Sequence, residues 1–291
     1  MLYTIQSDYL TVDIRDKGAE LWSIRTKDGC EYLWQGDPKY WSDRALNLFP
    51  QIGLCTGGQY YLHGKTYSID THGFVKDTVL EVVKHTNNCL VLTFTDNEET
   101  YAAYPFHFRY TIVYELNGPL LSIVYEVDNL DSEEMYFSVG GHPGFNLPLE
   151  DGLRYEDYFL DFHEGATARR AECTVGDCLM LDKITDYPIP QGRIPLSHGL
   201  FAERVLILTD MPHEVTLHAE RGRKQVTVRY PDMKYLGVWK WLATDAPYVC
   251  IEPWSGLPAR KNIVETYETH PDMLHLQPGG HYQNHWEIQI V

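Results

Sequence analysis

This sequence predicts an all-β fold, a large antiparallel β-sandwich, and three observations carry the prediction. Runs rich in β-branched and aromatic residues with period-two alternation recur along the chain, and turn-forming Asn and Gly separate them at hairpin spacing. No segment of about 12 or more residues carries a clean i, i+3, i+4, i+7 apolar stripe. Without amphipathic helices there is nothing to join parallel strands, so the sheets are expected to be antiparallel and a doubly wound nucleotide fold is disfavoured.

In chain order the predicted strands are 78–83, 89–95, 108–115, 120–128, 215–219, 225–230, 235–241 and 286–291. Asn87-Asn88 separates the first two and Asn117-Gly118-Pro119 the next two, residues that accept the left-handed conformations of tight turns, so each pair reads as a hairpin. The run 135–139 and the apolar Val249-Cys250-Ile251 add further strand signals. So many strands would curl or split an open sheet, and two packed sheets are expected instead. Residues 182–198, with three prolines, read as a long surface excursion. The segment His281-Tyr282-Gln283-Asn284-His285 reads as a loop entering the final strand; its spacing would suit a metal on a helix face, so no metal is expected there. No internal repeat appears, and 291 residues of this kind are expected to form one domain spanning 1–291.

Composition narrows the function classes. A formal net charge of −17, from 41 acidic and 24 basic residues, opposes binding to nucleic acid or to an anionic membrane surface. No run approaches the roughly 20 apolar residues of a membrane span, and Met1 leads into LYTIQSDYLTVDI rather than a basic-then-apolar leader, so a cytoplasmic location is expected. The six cysteines form no CxxC pair and are read as reduced, mostly buried thiols.

Three segments set a titratable group among Gly, Pro or aromatic residues: Thr71-His72-Gly73-Phe74, Gly140-Gly141-His142-Pro143-Gly144-Phe145 and Cys250-Ile251-Glu252-Pro253-Trp254-Ser255-Gly256. Glycine allows close backbone approach to a ligand and proline fixes the turn, which is how a binding site is often held. Taken singly, either His can be a residue hydrogen-bonded to backbone, and Glu252 can be half of a structural ion pair. Trp254 lies two residues after Glu252 and so, on an extended chain, faces the same side. Trp34, Trp239 and Trp241 could likewise offer flat faces to a pyranose, although most aromatic residues fill cores.

With these motifs in this order, the sequence resembles the aldose 1-epimerases, specifically the LacX-like branch of galactose mutarotase-like proteins. The resemblance runs from Asn47-Leu48-Phe49-Pro50 and Ile52-Gly53 through HGF, GGHPGF, Leu200-Phe201, GVWKW and IEPWSG to Leu276-Gln277-Pro278-Gly279. It implies interconversion of the α and β anomers of a free sugar. By that resemblance His142 is the general acid toward the ring oxygen O5, Glu252 is the general base toward the C1 hydroxyl, and His72 is a further sugar contact. Such a reaction moves one proton on and one off within the same ring, so it requires no cofactor and no metal.

Two departures fall on the sugar-recognition shell. The branch often carries Arg after HGF, where this chain has Val75-Lys76-Asp77; Lys76 keeps the charge and loses the bidentate fork. An aspartate is expected after Leu200-Phe201, where this chain reads Ala202-Glu203-Arg204-Val205. Arg44 is a candidate sugar or carboxylate contact. A hexose-6-phosphate epimerase of the same fold remains open, although no dense Arg or Lys cluster accompanies Arg44 and Lys76. A sugar-binding or sugar-sensing protein without catalysis is also open, with retention of His142 and Glu252 against it. A two-carboxylate glycoside hydrolase fits poorly, because only one carboxylate lies in a site motif. The expected partner is a small-molecule sugar, and exposed edge strands leave monomer or homodimer open.

Overall fold

The computed structural model describes residues 1–291, and two large antiparallel sheets dominate it. The larger has nine strands in the order Arg193–Pro195, Tyr158–Asp161, Glu214–Ala219, Val226–Arg229, His281–Ile290, Leu120–Asn129, Phe108–Asn117, Cys89–Thr95 and Glu81–His85. The other has seven, in the order Met180–Tyr187, Ala168–Cys173, Leu206–Thr209, Tyr235–Trp239, Tyr248–Trp254, Gly140–Asn146 and Ala45–Leu48. Three small sheets cover their ends, one of them the amino-terminal meander Leu2–Gln6, Leu10–Arg15 and Leu21–Thr26.

Strand alternation decides what each face of the seven-stranded sheet does. Val249 and Ile251 belong to a core of 66 buried residues, together with Ile123, Tyr125, Trp286 and Ile288 of the nine-stranded sheet. Each such aliphatic side chain contributes roughly 1.5–3 kcal/mol when fully buried. Tyr248, Cys250 and Trp254, the alternate residues, belong to a second cluster of 15 buried residues on the opposite face. Gly141 lets the sheets approach, because a side-chain carbon there would lie 2.6 Å from Trp286 Cζ2. Tyr125 and Asn47 are paired across the same gap: Tyr125 Oη donates to Asn47 Oδ1 at 2.8 Å, and Asn47 Nδ2 donates to the Gly18 and Ala19 carbonyls.

Both predicted hairpins form, Glu81–His85 with Cys89–Thr95 and Phe108–Asn117 with Leu120–Asn129. Two expectations are corrected. Residues 182–198 are not a loop excursion: Met180–Tyr187 is the edge strand of one sheet and Arg193–Pro195 the edge strand of the other. Edge strands face solvent and tolerate charge and proline, so alternation there is faint. His281 and His285 lie within the strand His281–Ile290, where four residues span about 13 Å, too far for one ion. They contact Asp128 Oδ1 at 2.8 Å and Ser122 Oγ at 3.1 Å instead. The single α-helix, Glu98–Ala103, is capped by Asn97, and no helix is long and apolar enough to cross a membrane.

Candidate active site

The site lies on the second face of the seven-stranded sheet, over its adjacent strands Gly140–Asn146 and Tyr248–Trp254. Their ladder pairs Gly140 with Trp254 and Gly144 with Cys250, which sets His142 directly opposite Glu252. The His142 Nε2 and Glu252 Oε2 atoms are 3.2 Å apart, with the side chains 8% and 1% exposed. Both line a cavity of about 610 Å³, within the range of small-molecule sites.

Aromatic rings hold the imidazole. Trp41 lies at 4.8 Å, Trp239 meets it edge-on at 5.4 Å and His72 meets it edge-on at 5.5 Å. Trp254 lines the cavity on the same side as Glu252, as the two-residue spacing predicts. Its indole reaches over the neighbouring strand at Gly237.

His72 is fixed by Gly53. The His72 backbone N–H donates to the Gly53 carbonyl at 2.8 Å, while the Gly53 N–H donates to His72 Nδ1 at 3.1 Å. With Nδ1 accepting, the neutral ring carries its hydrogen on Nε2 and is a hydrogen-bond donor there. Burial, with Lys76 nearby, pushes the His72 pKa down to about 4, so the neutral form prevails.

The same burial acts on the central pair. It pushes the Glu252 carboxyl well above the usual carboxylate range, with the Trp254 indole pulling the other way, and pushes His142 well below the usual imidazole range, helped by His72. Both effects disfavour net charge, so the pair holds one proton between two sites over a broad pH range. His142 Nδ1, Glu252 Oε1 and Trp254 Nε1 are buried without a protein hydrogen-bond partner. Leaving such an atom unsatisfied costs about 1–3 kcal/mol, and all three belong to residues that line one cavity.

The other candidates divide. Lys76 lines the cavity, its ammonium held by Asp77, which also pairs with Lys17 at 3.0 Å. Arg44 does not line it: its guanidinium lies 3.8 Å from the Trp22 ring and donates to the Trp22 carbonyl and Gln35 Oε1, each at 2.6 Å. It is a buttress of the amino-terminal sheet. Arg204 does line the cavity, whereas Glu203 is 66% exposed and does not, so Glu203 does not replace the expected aspartate; Asp177 lines the same cavity.

Sequence reasoning missed several wall residues. Arg15 and Lys17 arrive from the amino-terminal sheet, Trp41 from a loop, and Gly176 and Cys178 from the turn after Ala168–Cys173. None carried a motif. Cys250 had a usable signal, since alternation puts it on the face of Glu252; ligating atoms of His142, Cys250 and Glu252 all lie within 4.8 Å of one another.

Comparison with known proteins agrees with this architecture. The family model described as Aldose 1-epimerase matches residues 1–289. The chromosomal protein LacX of Lactococcus lactis subsp. lactis is 30% identical over 299 aligned positions, covering 100% of both chains. A galactose mutarotase related enzyme from Lactobacillus acidophilus superposes with TM-score 0.93 at 34% identity, over 100% of this chain and 97% of the other. A galactose mutarotase-like protein from Lactobacillus casei superposes with TM-score 0.94 at 29% identity, over 100% of each chain.

Proposed function

Because the chain belongs to the aldose 1-epimerase family, we propose that it interconverts the α and β anomers of a free aldohexose, with His142 and Glu252 as the acid–base pair. The observation that carries the reading is their cross-strand opposition at 3.2 Å, with buried, unpartnered atoms on both residues. A sugar in the cavity supplies the missing partners: its C1 hydroxyl donates to Glu252, and its ring oxygen accepts from His142.

The chemistry needs one proton delivered and one removed at once, which is the inventory of a pair sharing a single proton. In the working tautomer the proton is on His142 and Glu252 is a carboxylate. Glu252 takes the proton from the C1 hydroxyl as His142 protonates O5, the C1–O5 bond breaks, and the open-chain aldehyde forms. Rotation about C1–C2 turns the other carbonyl face toward the C5 hydroxyl. Closure reverses both transfers: His142 takes the proton of that hydroxyl, Glu252 returns one to the carbonyl oxygen, and both groups regain their starting states. His72, a neutral donor, can hold the sugar oxygen near C1 without competing for that proton.

Polarimetry of freshly dissolved α-glucose and α-galactose in chelator-containing buffer tests this. Wild type is expected to accelerate the rotation change, with Glu252→Gln slower by about 10²–10⁴-fold. Wild type matching the buffer rate across a panel of free aldoses would reject the proposal.

One observation favours a second reading, a phosphorylated hexose as substrate. Arg15, Lys17, Lys76 and Arg204 all line the cavity, a cationic set that the sequence alone did not bring together. Each has a carboxylate neighbour: Glu20 for Arg15, Asp77 for both lysines, and Glu203 for Arg204. This offsets their pull on a phosphate, and the free sugar is preferred. Comparing kcat/KM for glucose and glucose 6-phosphate decides between them.

A further inference from the structure

We propose that His142, Cys250 and Glu252 form a binding site for a thiophilic divalent cation of the zinc class, and that occupancy shuts off the acid–base pair. The inference concerns regulation of the site assigned above, and its inhibitory half rests on that reading. The binding half stands alone.

The strands build the ligand set. Cys250 and Glu252 are two apart on one strand and share its outer face, while His142 stands opposite Glu252 on the next. A thiolate, a carboxylate and an imidazole are the ligand types that zinc takes, with bonds of about 2.0–2.3 Å, so neighbouring ligand atoms of a tetrahedral site lie roughly 3.3–3.6 Å apart. His142 and Glu252 stand at 3.2 Å, and all three ligating atoms fall within 4.8 Å.

Charge and solvation favour a doubly charged ion here. Cys250 is fully buried and Glu252 1% exposed, so either anion alone is costly. A divalent cation bound to one thiolate, one carboxylate and one neutral imidazole gives a complex with no net charge. The second polar atom of each residue, Glu252 Oε1 and His142 Nδ1, is buried and has no protein hydrogen-bond partner. Three protein ligands leave a fourth position open toward the cavity, for water or a sugar oxygen. With the metal in place His142 and Glu252 have lone pairs tied up, so neither can pass a proton to or from the ring.

No motif announces the site, because its ligands come from separate strands and one of them is a cysteine read as core. Cys178 lines the cavity wall and is the natural control.

The experiment is a Co²⁺ titration of the full-length, metal-free protein, followed by Zn²⁺ competition. Wild type is expected to develop a thiolate-to-cobalt charge-transfer band saturating at one equivalent and displaced by Zn²⁺. Cys250→Ser should lose the band and Cys178→Ser should keep it. Glu252→Gln, checked as folded by thermal melting, should bind about 100-fold more weakly or worse. In polarimetry, Zn²⁺ should halve the wild-type rate at the concentration that displaces half the cobalt. Cys250→Ser, compared with its own metal-free rate, should need about 100-fold more. Absence of the band in wild type, its survival in Cys250→Ser, or its loss in Cys178→Ser would each overturn the proposal. A protein that binds cobalt in this pattern yet mutarotates no sugar keeps the metal site and loses the enzymatic reading, so the two failures are distinguishable.

Discussion

Gly237 stands across the ladder from Glu252, and a side-chain carbon built on it would lie 2.5 Å from Cζ2 of Trp254 and 2.6 Å from its Cη2. The indole occupies that space only because the strand Tyr235–Trp239 carries no side chain there, and its position shapes the wall beside the carboxylate. Gly237→Ala should therefore displace Trp254 and cost about 1–3 kcal/mol through overpacking. The expected result is a lowered melting temperature together with a drop of about tenfold or more in kcat/KM, since 1.4 kcal/mol of lost transition-state stabilisation is a factor of ten. Unchanged kinetics and melting would show that the indole has room to spare.

The pH profile should be broad and bell-shaped. In the active state the pair carries one proton; the acid limb adds a second and the alkaline limb removes the last. Burial opposes both charged states, lowering the first macroscopic pKa and raising the second, as the downward push on His142 and the upward push on Glu252 indicate. In metal-free buffer kcat/KM should thus stay level from below the ordinary carboxylate pKa to above the ordinary imidazole pKa. A narrow bell lying between those two ordinary values would contradict the shared-proton description.

Burial of Glu252 also makes a stability prediction. Its folded pKa lies above its unfolded value, so between the two the unfolded chain has lost a proton that the folded chain keeps. Stability attributable to this group is therefore full below the ordinary carboxylate pKa and falls as pH rises through the window. Glu252→Gln removes the dependence. Its melting temperature relative to wild type should rise with pH, reaching a gain of about a few degrees at neutral pH, while activity is lost. Thermal melts across pH 4 to 9 check the sign; a gap that shrinks as pH rises would refute it.

His72 offers a test of contact against scaffold. Its φ of +66° lies in the left-handed region, which Asn adopts at lower cost than Ala. His72→Asn should keep the melting temperature close to wild type and lower kcat/KM by about 10–100-fold, with KM raised, as expected for loss of a hydrogen-bond donor to the sugar. His72→Ala should lose stability as well. Equal kinetics for His72→Asn and wild type would assign the ring to the backbone of Gly53 alone.

Much of this was legible in the chain. The hairpins around Asn87-Asn88 and Asn117-Gly118-Pro119 followed from turn chemistry, and the outer-face pairing of Glu252 with Trp254 followed from strand periodicity. The edge strands Met180–Tyr187 and Arg193–Pro195 were not legible, because they lack the apolar alternation that marks a buried strand. Arg44 shows the same limit from the other side: a cation next to a recognisable motif was read as a ligand contact, and the structure stacks it on Trp22.

By itself the sequence determined the all-β class, the antiparallel arrangement and the two motifs that carry His142 and Glu252, because these depend on local periodicity, turn residues and composition. Only the tertiary structure decided that those two residues face each other at 3.2 Å, that Arg15, Lys17 and Arg204 rather than Arg44 reach the cavity, and that the ligating atoms of Cys250 and the pair lie within 4.8 Å of one another. The physical reason is register. Which residues stand opposite one another across a ladder, and which loops close over one sheet face, is set by non-local pairing and packing that no short segment encodes.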